Sequence, residues 1–208
     1  MSTTTESVQL TKEFCQEWTR KILEELRAVT GDERWSNNER YNLHQWAGAL
    51  KHDSGYGLFL DFNTQRGKVR VSSLTTNEWA THPDFRYEVQ EPASIGIGLT
   101  KGANAIAKSI VSRYLKALQE SHARNSEAFE AYKKRKADRR QQLQELSEIL
   151  GDAGYLHGSP GHETLRLYEK SITSRGTIKV EDDGTIEMDL HNIPFEITKQ
   201  ILQLIKGR

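Results

Sequence analysis

Between Ala103 and Leu150 the chain contains no residue that breaks a helix, and Gly151 is the first to interrupt the run. Ile106, Ala107, Ile110, Tyr114 and Leu118 recur every three to four residues, which lays one apolar stripe along a helical surface. The pattern predicts a helix of about fifty residues, bent or interrupted near "SHARNSE" at 121–127. Heptad counting from Phe129 sets Tyr132, Lys136, Arg139, Leu143, Leu146 and Leu150 at successive seam positions. A desolvated Lys or Arg at a seam is costly unless paired. The middle of this helix is therefore expected to be wet and its two ends packed. In 208 residues such a rod leaves room for one domain, or for a compact body with an appendage.

Before the rod, Phe14, Trp18, Ile22, Leu26 and Val29 predict a helix over 11–29 that stops at Gly31. "SNNE" at 36–39 has the form of a capping box, followed by Leu43, Trp46, Ala47 and Leu50 at helical spacing. This predicts a second helix, although Tyr41 and Leu43 also fit a strand. Leu58, Leu60 and Phe62 alternate in "GLFLDFN", as do Val69 and Val71 in "GKVRVSSL", so these segments form a hairpin across "TQRG". "SIGIGL" puts Ile95, Ile97 and Leu99 on one side and Gly96 and Gly98 on the other. The glycine side suits either a close helix or an exposed edge. After the rod, "GDAGYLHGSPGHE" reads as a loop and Leu165, Leu167 and Tyr168 as a short apolar stretch. Ile178 and Val180 then face Ile186, Met188 and Leu190 around the turn "EDDG". Pro194 opens a last helix whose buried side is Ile197, Ile201, Leu204 and Ile205.

These elements define an α+β fold: a small antiparallel sheet covered by the first and last helices, with one long, partly protruding basic helix. Residues 1–101 form the N-terminal part of the body, 102–150 the long helix, and 151–208 the loop, hairpin and helix that complete the same body. An exposed long helix needs tertiary support, so its far end is expected on the body, a target or another copy, which makes a homo-oligomer a reasonable state.

Twenty-nine basic and 29 acidic residues cancel, and their distribution carries the information. Residues 1–100 hold 11 basic and 14 acidic residues, 101–150 hold 11 and 6, and 151–208 hold 7 and 9. The positive excess concentrates in "AYKKRKADRR", where Lys133, Lys134, Arg135, Lys136, Arg139 and Arg140 surround Asp138. Such a run on a helix neutralises phosphates without reading sequence, and it serves more commonly as a solvated face.

Other chemistries are less well supported. "GIGLTKGAN" leads a strand through glycines into a helix, but Lys101 precedes Gly102 and the phosphate-loop spacing is missing. It reads as a strand-to-helix turn capped by Thr100. His157, His162 and Glu163 lie in one loop and would serve a metal-dependent hydrolase only if the fold converged them. "HDSGY" and "THPDF" put a His near an Asp, though neighbours in a loop seldom face one another. Glu181, Asp182 and Asp183 suit a turn. No cofactor or metal is implied.

Cys15, alone of its kind and set among Phe14, Trp18 and Ile22, suggests a buried thiol in a reducing compartment. No apolar run reaches membrane-spanning length, and "MSTTTESVQL" lacks the layout of a secretory signal, so a cytoplasmic protein without a membrane partner is expected.

"SIGIGLTKGANAIAKSIVSRYLKAL" resembles a pattern in uncharacterised small proteins of bacterial phages, plasmids and other mobile elements, and "DDGTIEMDLHNIPFEITKQILQLI" is similar to the hairpin and helix that close many of them. The resemblance implies a mobile-element setting and assigns no residue a role. The expected function is a non-enzymatic binding protein whose basic helix engages nucleic acid or a nucleic-acid-handling complex. An inhibitor or adaptor that contacts a host or phage protein, for example an antagonist of host defence, is the alternative.

Overall fold

A computed structural model describes residues 10–39, 46–63, 67–75, 77–159, 162–168, 175–193 and 195–206. The chain divides into two compact units, 1–129 and 130–208. The strands accordingly form two sheets in place of the one small sheet expected, both antiparallel, and the fold is mixed α+β.

In the first unit, α1 (Lys12–Thr30) starts at Thr11, whose hydroxyl accepts from the Phe14 N–H at 3.2 Å. It ends at Gly31, left-handed at φ 66°, whose N–H donates to the Arg27 carbonyl at 2.8 Å. Its buried face carries Cys15, Thr19, Ile22, Leu23 and Leu26. Strands β1 (Trp35–Asn37), β2 (Ala47–His52), β3 (Tyr56–Asp61), β4 (Lys68–Thr75) and β5 (Ile95–Gly98) make a five-stranded sheet in chain order. The expected hairpin is present, with Leu60 opposite Val71 and Leu58 opposite Ser73.

The helix expected after residue 36 is not formed: 47–52 is a strand, and 40–45 lie outside the described residues. The misreading has a physical cause. Ala47, Gly48, Ala49 and Leu50 are consecutive and all buried, so the strand is covered on both faces and shows no alternation. Gly48 is where α1 crosses, and a Cβ there would lie 1.8 Å from Thr19 Oγ1. Gly96 and Gly98 lie on the edge strand β5, where an added Cβ would meet only Lys68 at 3.8 Å and Thr100 at 3.7 Å. After β4 the chain forms the short helix α2 (Glu78–Thr81), which buries Trp79.

The helical run begins with α3 (Gly102–Ile110), widens into one π-helical segment at Val111–Leu115, and continues as α4 (Lys116–Leu150). The irregularity expected near 121–127 is therefore found about two turns earlier, and it turns both Tyr114 and Leu115 inward. Thr100 does not cap α3: Lys101 occupies the cap position, and no side chain bonds there. Helices α1 and α3 pack together over the sheet, joining Ile106, Ala107 and Ile110 to Leu58, Leu60, Val69 and Val71.

In the second unit, β6 (Gly154–His157), β7 (Thr164–Tyr168), β8 (Arg175–Val180) and β9 (Ile186–His191) form a four-stranded meander. The "EDDG" hairpin is as expected, with Gly184 at φ 82° and Val180 opposite Ile186. The end of α4 covers the sheet's centre, where Leu143, Leu146 and Leu150 meet Leu165, Leu167, Ile178 and Val180. Helix α5 (Phe195–Lys206) follows β9. Of the side it was expected to bury, Ile201, Leu204 and Ile205 lie outside the described side chains, while Ile197 is exposed, as are Phe195 and Leu202. Among the described residues no helix is long and apolar enough to cross a membrane.

Candidate functional site

The six cations of 133–140 separate into two groups once their neighbours are placed. Buried positions on α4 follow the 3,4 spacing of the predicted seam through Phe129, Tyr132, Arg139 and Leu143. The seam was read correctly, but the prediction that its middle is wet is overturned. The Arg139 side chain is 9% exposed and that of Lys136 18%. The physical reason is pairing. Asp182, in the hairpin turn, sets one carboxylate oxygen 3.7 Å from Arg139 and 3.8 Å from Lys136. Arg139 also donates to the Glu163 carbonyl at 3.2 Å, while its buried Nε finds no acceptor. The Lys136 ammonium lies 5.4 Å from the Tyr132 ring centroid. Lys136 and Arg139 are thus paired within their own unit.

The other four cations are exposed. Lys133 pairs with Glu130 at 2.6 Å, and Arg140 lies 3.8 Å from Glu163. Lys134 and Arg135 have no ion pair among the described residues. Asp138 is exposed on the same helix, so the free positive surface is small and interrupted. Residues 130–208 hold thirteen Lys and Arg against thirteen Asp and Glu, which leaves the second unit without net charge.

His157 and His162 are exposed, and the largely buried Glu163 carboxylate turns to Arg140. No group of three His, Cys, Asp or Glu among the described residues could hold a metal ion.

In the first unit, His52 bonds to a distant acid and not to its neighbour Asp53. Its Nε2 lies 3.0 Å from Asp32, and its Nδ1 accepts the Ser54 N–H at 3.1 Å. Because Nδ1 accepts, Nε2 carries the proton and donates to Asp32. Both ring nitrogens are engaged and the ring stacks on Tyr56 at 4.5 Å, so His52 has no free site to act as a base. Hydrogen bonds from Arg34, and then from His52, hold the Asp32 carboxyl well below the usual carboxylate range. His82 is similarly occupied: its Nδ1 accepts from Asp84 N–H, and its ring meets Phe129 at 5.5 Å. His122 sits between Tyr56 and Trp79, and burial lowers its pKa. The enclosed space beside it, about 10 Å³, holds at most one water. Nearby, Asn125 exchanges hydrogen bonds with both backbone groups of Gln90, at 3.0 and 3.2 Å. These contacts hold the segment before β5 against α4. Burial pushes the Cys15 thiol up to about 11, as expected of a core thiol.

What sequence reasoning missed lies on the second sheet. Ile178, Val180, Ile186 and Met188 share one face because they are cross-strand partners, Ile178 with Met188 and Val180 with Ile186. The β8 pair is buried under α4. The β9 pair is not: Ile186 is 48% exposed and Met188 55%. The helix covers the middle of the sheet and stops short of its β9 edge. Alternation in the sequence identified this face as apolar, and no signal in it indicated that the face would be half covered.

These features define a two-unit α+β protein with an uncovered apolar edge on the C-terminal sheet. Comparison with protein-family models, with curated proteins and with solved structures finds no match.

Proposed function

We propose that the chain is a non-enzymatic protein-binding adaptor and that its C-terminal unit is the contact surface. One observation carries the reading: the apolar face of the second sheet continues past α4 onto β9, where Ile186 and Met188 stay about half exposed. Apolar surface left bare beside a packed core is costly in water, and clusters of it mark surfaces that another protein covers. The partner suited to it presents apolar side chains. The opposite face of the same strands is polar and of mixed sign, with Glu187 and Asp189 on β9 and Lys179 on β8.

The test compares wild type with Met188→Lys as bait in nuclease-treated host lysate, with circular dichroism to confirm that both fold. A protein retained by wild type and lost by the variant supports the reading. Identical retained sets overturn it.

A second reading keeps the basic helix as a nucleic-acid contact, and the observation in its favour is the exposure of Lys134 and Arg135 with no ion pair among the described residues. Anisotropy titrations of labelled duplex and single strands across a salt series would decide it. Each phosphate contact contributes about 0.9 to the slope on duplex DNA, so Lys134→Gln with Arg135→Gln should flatten it by about 2. An unchanged slope discards this reading.

A further inference from the structure

We infer that the partner on this surface is a second copy of the chain, α5 of each copy lying across Ile186 and Met188 of the other. The inference rests on the protein-binding reading above and names its partner. Each chain carries exposed apolar side chains on two elements in succession: Ile186 and Met188 on the inner face of β9, and Phe195, Ile197 and Leu202 on helix α5. Phe195, Ile197 and Leu202 of α5 are exposed. A helix of 12 residues is marginal in water by itself, so α5 needs a surface to lie on. The β9 face needs a cover. A two-fold exchange covers both sets in both copies, whereas a foreign partner seated on β9 alone leaves Phe195, Ile197 and Leu202 exposed.

The area is of the right order. Ile186, Met188, Phe195, Ile197 and Leu202 together expose on the order of 500 Å², a large part of the roughly 800 Å² per partner of a standard interface. Charge does not oppose the pairing, because the unit's thirteen cations and thirteen anions cancel. Charge does select its geometry. Edge-to-edge pairing of two β9 strands about Met188 would set Glu187 against Asp189, and pairing about Asp189 would set that residue against itself. Helix on sheet avoids both clashes, since Ile186 and Met188 face opposite to Glu187 and Asp189 on the alternating strand.

The experiment uses the full chain. Cys15 is buried and its thiol is pushed up to about 11, so it stays silent as a background. One differently tagged population carries Met188→Cys, another Leu202→Cys, and the two are mixed under mild oxidation. The expected result is a 188–202 disulfide between copies that forms faster than either like-with-like product. Sedimentation should also show a dimer that Ile186→Asp weakens by about tenfold or more. Two results overturn the inference differently. If a doubly substituted chain closes its own 188–202 disulfide at high dilution, α5 covers its own sheet, and the adaptor reading fails with the inference. If the chain stays monomeric at high concentration while Met188→Lys still loses a lysate partner, only the second-copy inference fails.

Discussion

The pairing around Asp182 separates cations that hold the fold from cations available to a ligand, and it can be tested by removing either side of the pair. Asp182→Ala strips Arg139 and Lys136 of their shared carboxylate. Asp182 is itself 45% exposed, so each pair is partly screened, and exposed pairs contribute about 0.2–1 kcal/mol. The cations are less exposed than the acid, and a largely buried cation left unpaired costs more, up to about 3–5 kcal/mol in a fully buried setting. Between these limits the expected loss is about 1–2 kcal/mol. Arg139→Met acts differently. It removes a charge whose Nε has no acceptor and puts an unbranched apolar chain beside Leu143, so the change should lie within about 1 kcal/mol of neutral. Combining the two substitutions should recover much of the loss caused by Asp182→Ala.

The units provide separate reporters. All four tryptophans, Trp18, Trp35, Trp46 and Trp79, fall in 1–129, so their fluorescence follows the first unit only. Differential scanning calorimetry should show the second unit's transition lowered by about 4–8 °C for each kcal/mol lost, with the tryptophan transition unmoved. If Arg139→Met lowers that transition more than Asp182→Ala does, the guanidinium is not a compensated buried charge, and the division of the six cations drawn above is wrong.

Two further predictions concern the first unit. Gly48→Ala would place its Cβ 1.8 Å from Thr19 Oγ1 and should cost about 1–3 kcal/mol, read by urea unfolding on tryptophan fluorescence. Thr19→Ala should restore part of the loss, and a neutral Gly48→Ala would show that α1 does not cross β2 this closely. Asp32, with its folded pKa depressed, adds stability that is present above the unfolded value of about 4 and lost as pH falls through the folded one. Asp32→Asn should therefore lower stability at neutral pH and flatten the loss below about pH 4; an acid limb unchanged in slope would remove Asp32 from the account.

The legibility of this protein in its sequence followed how locally each element is determined. The rod from Gly102 to Leu150, α1 with its stop at Gly31, and the hairpins at 56–75 and 175–191 were readable because near-neighbour spacing and turn residues determine them. The strand at 47–52 was not readable: burial on both faces erases alternation, and its small residues answer to the helix crossing at Thr19. The candidate site divides in the same way. The six cations were evident in the sequence, and only the hairpin turn showed that Asp182 takes up Lys136 and Arg139.

By itself, the sequence determined the long helix and α1, the alternating hairpins and their apolar faces, since these follow from the period of the backbone. Tertiary structure decided which of those faces are covered, because burial depends on where a helix ends over a sheet. At β9 the cover ends at the pairs joining Val180 to Ile186 and Ile178 to Met188: one side of each pair lies in the core and the other in water.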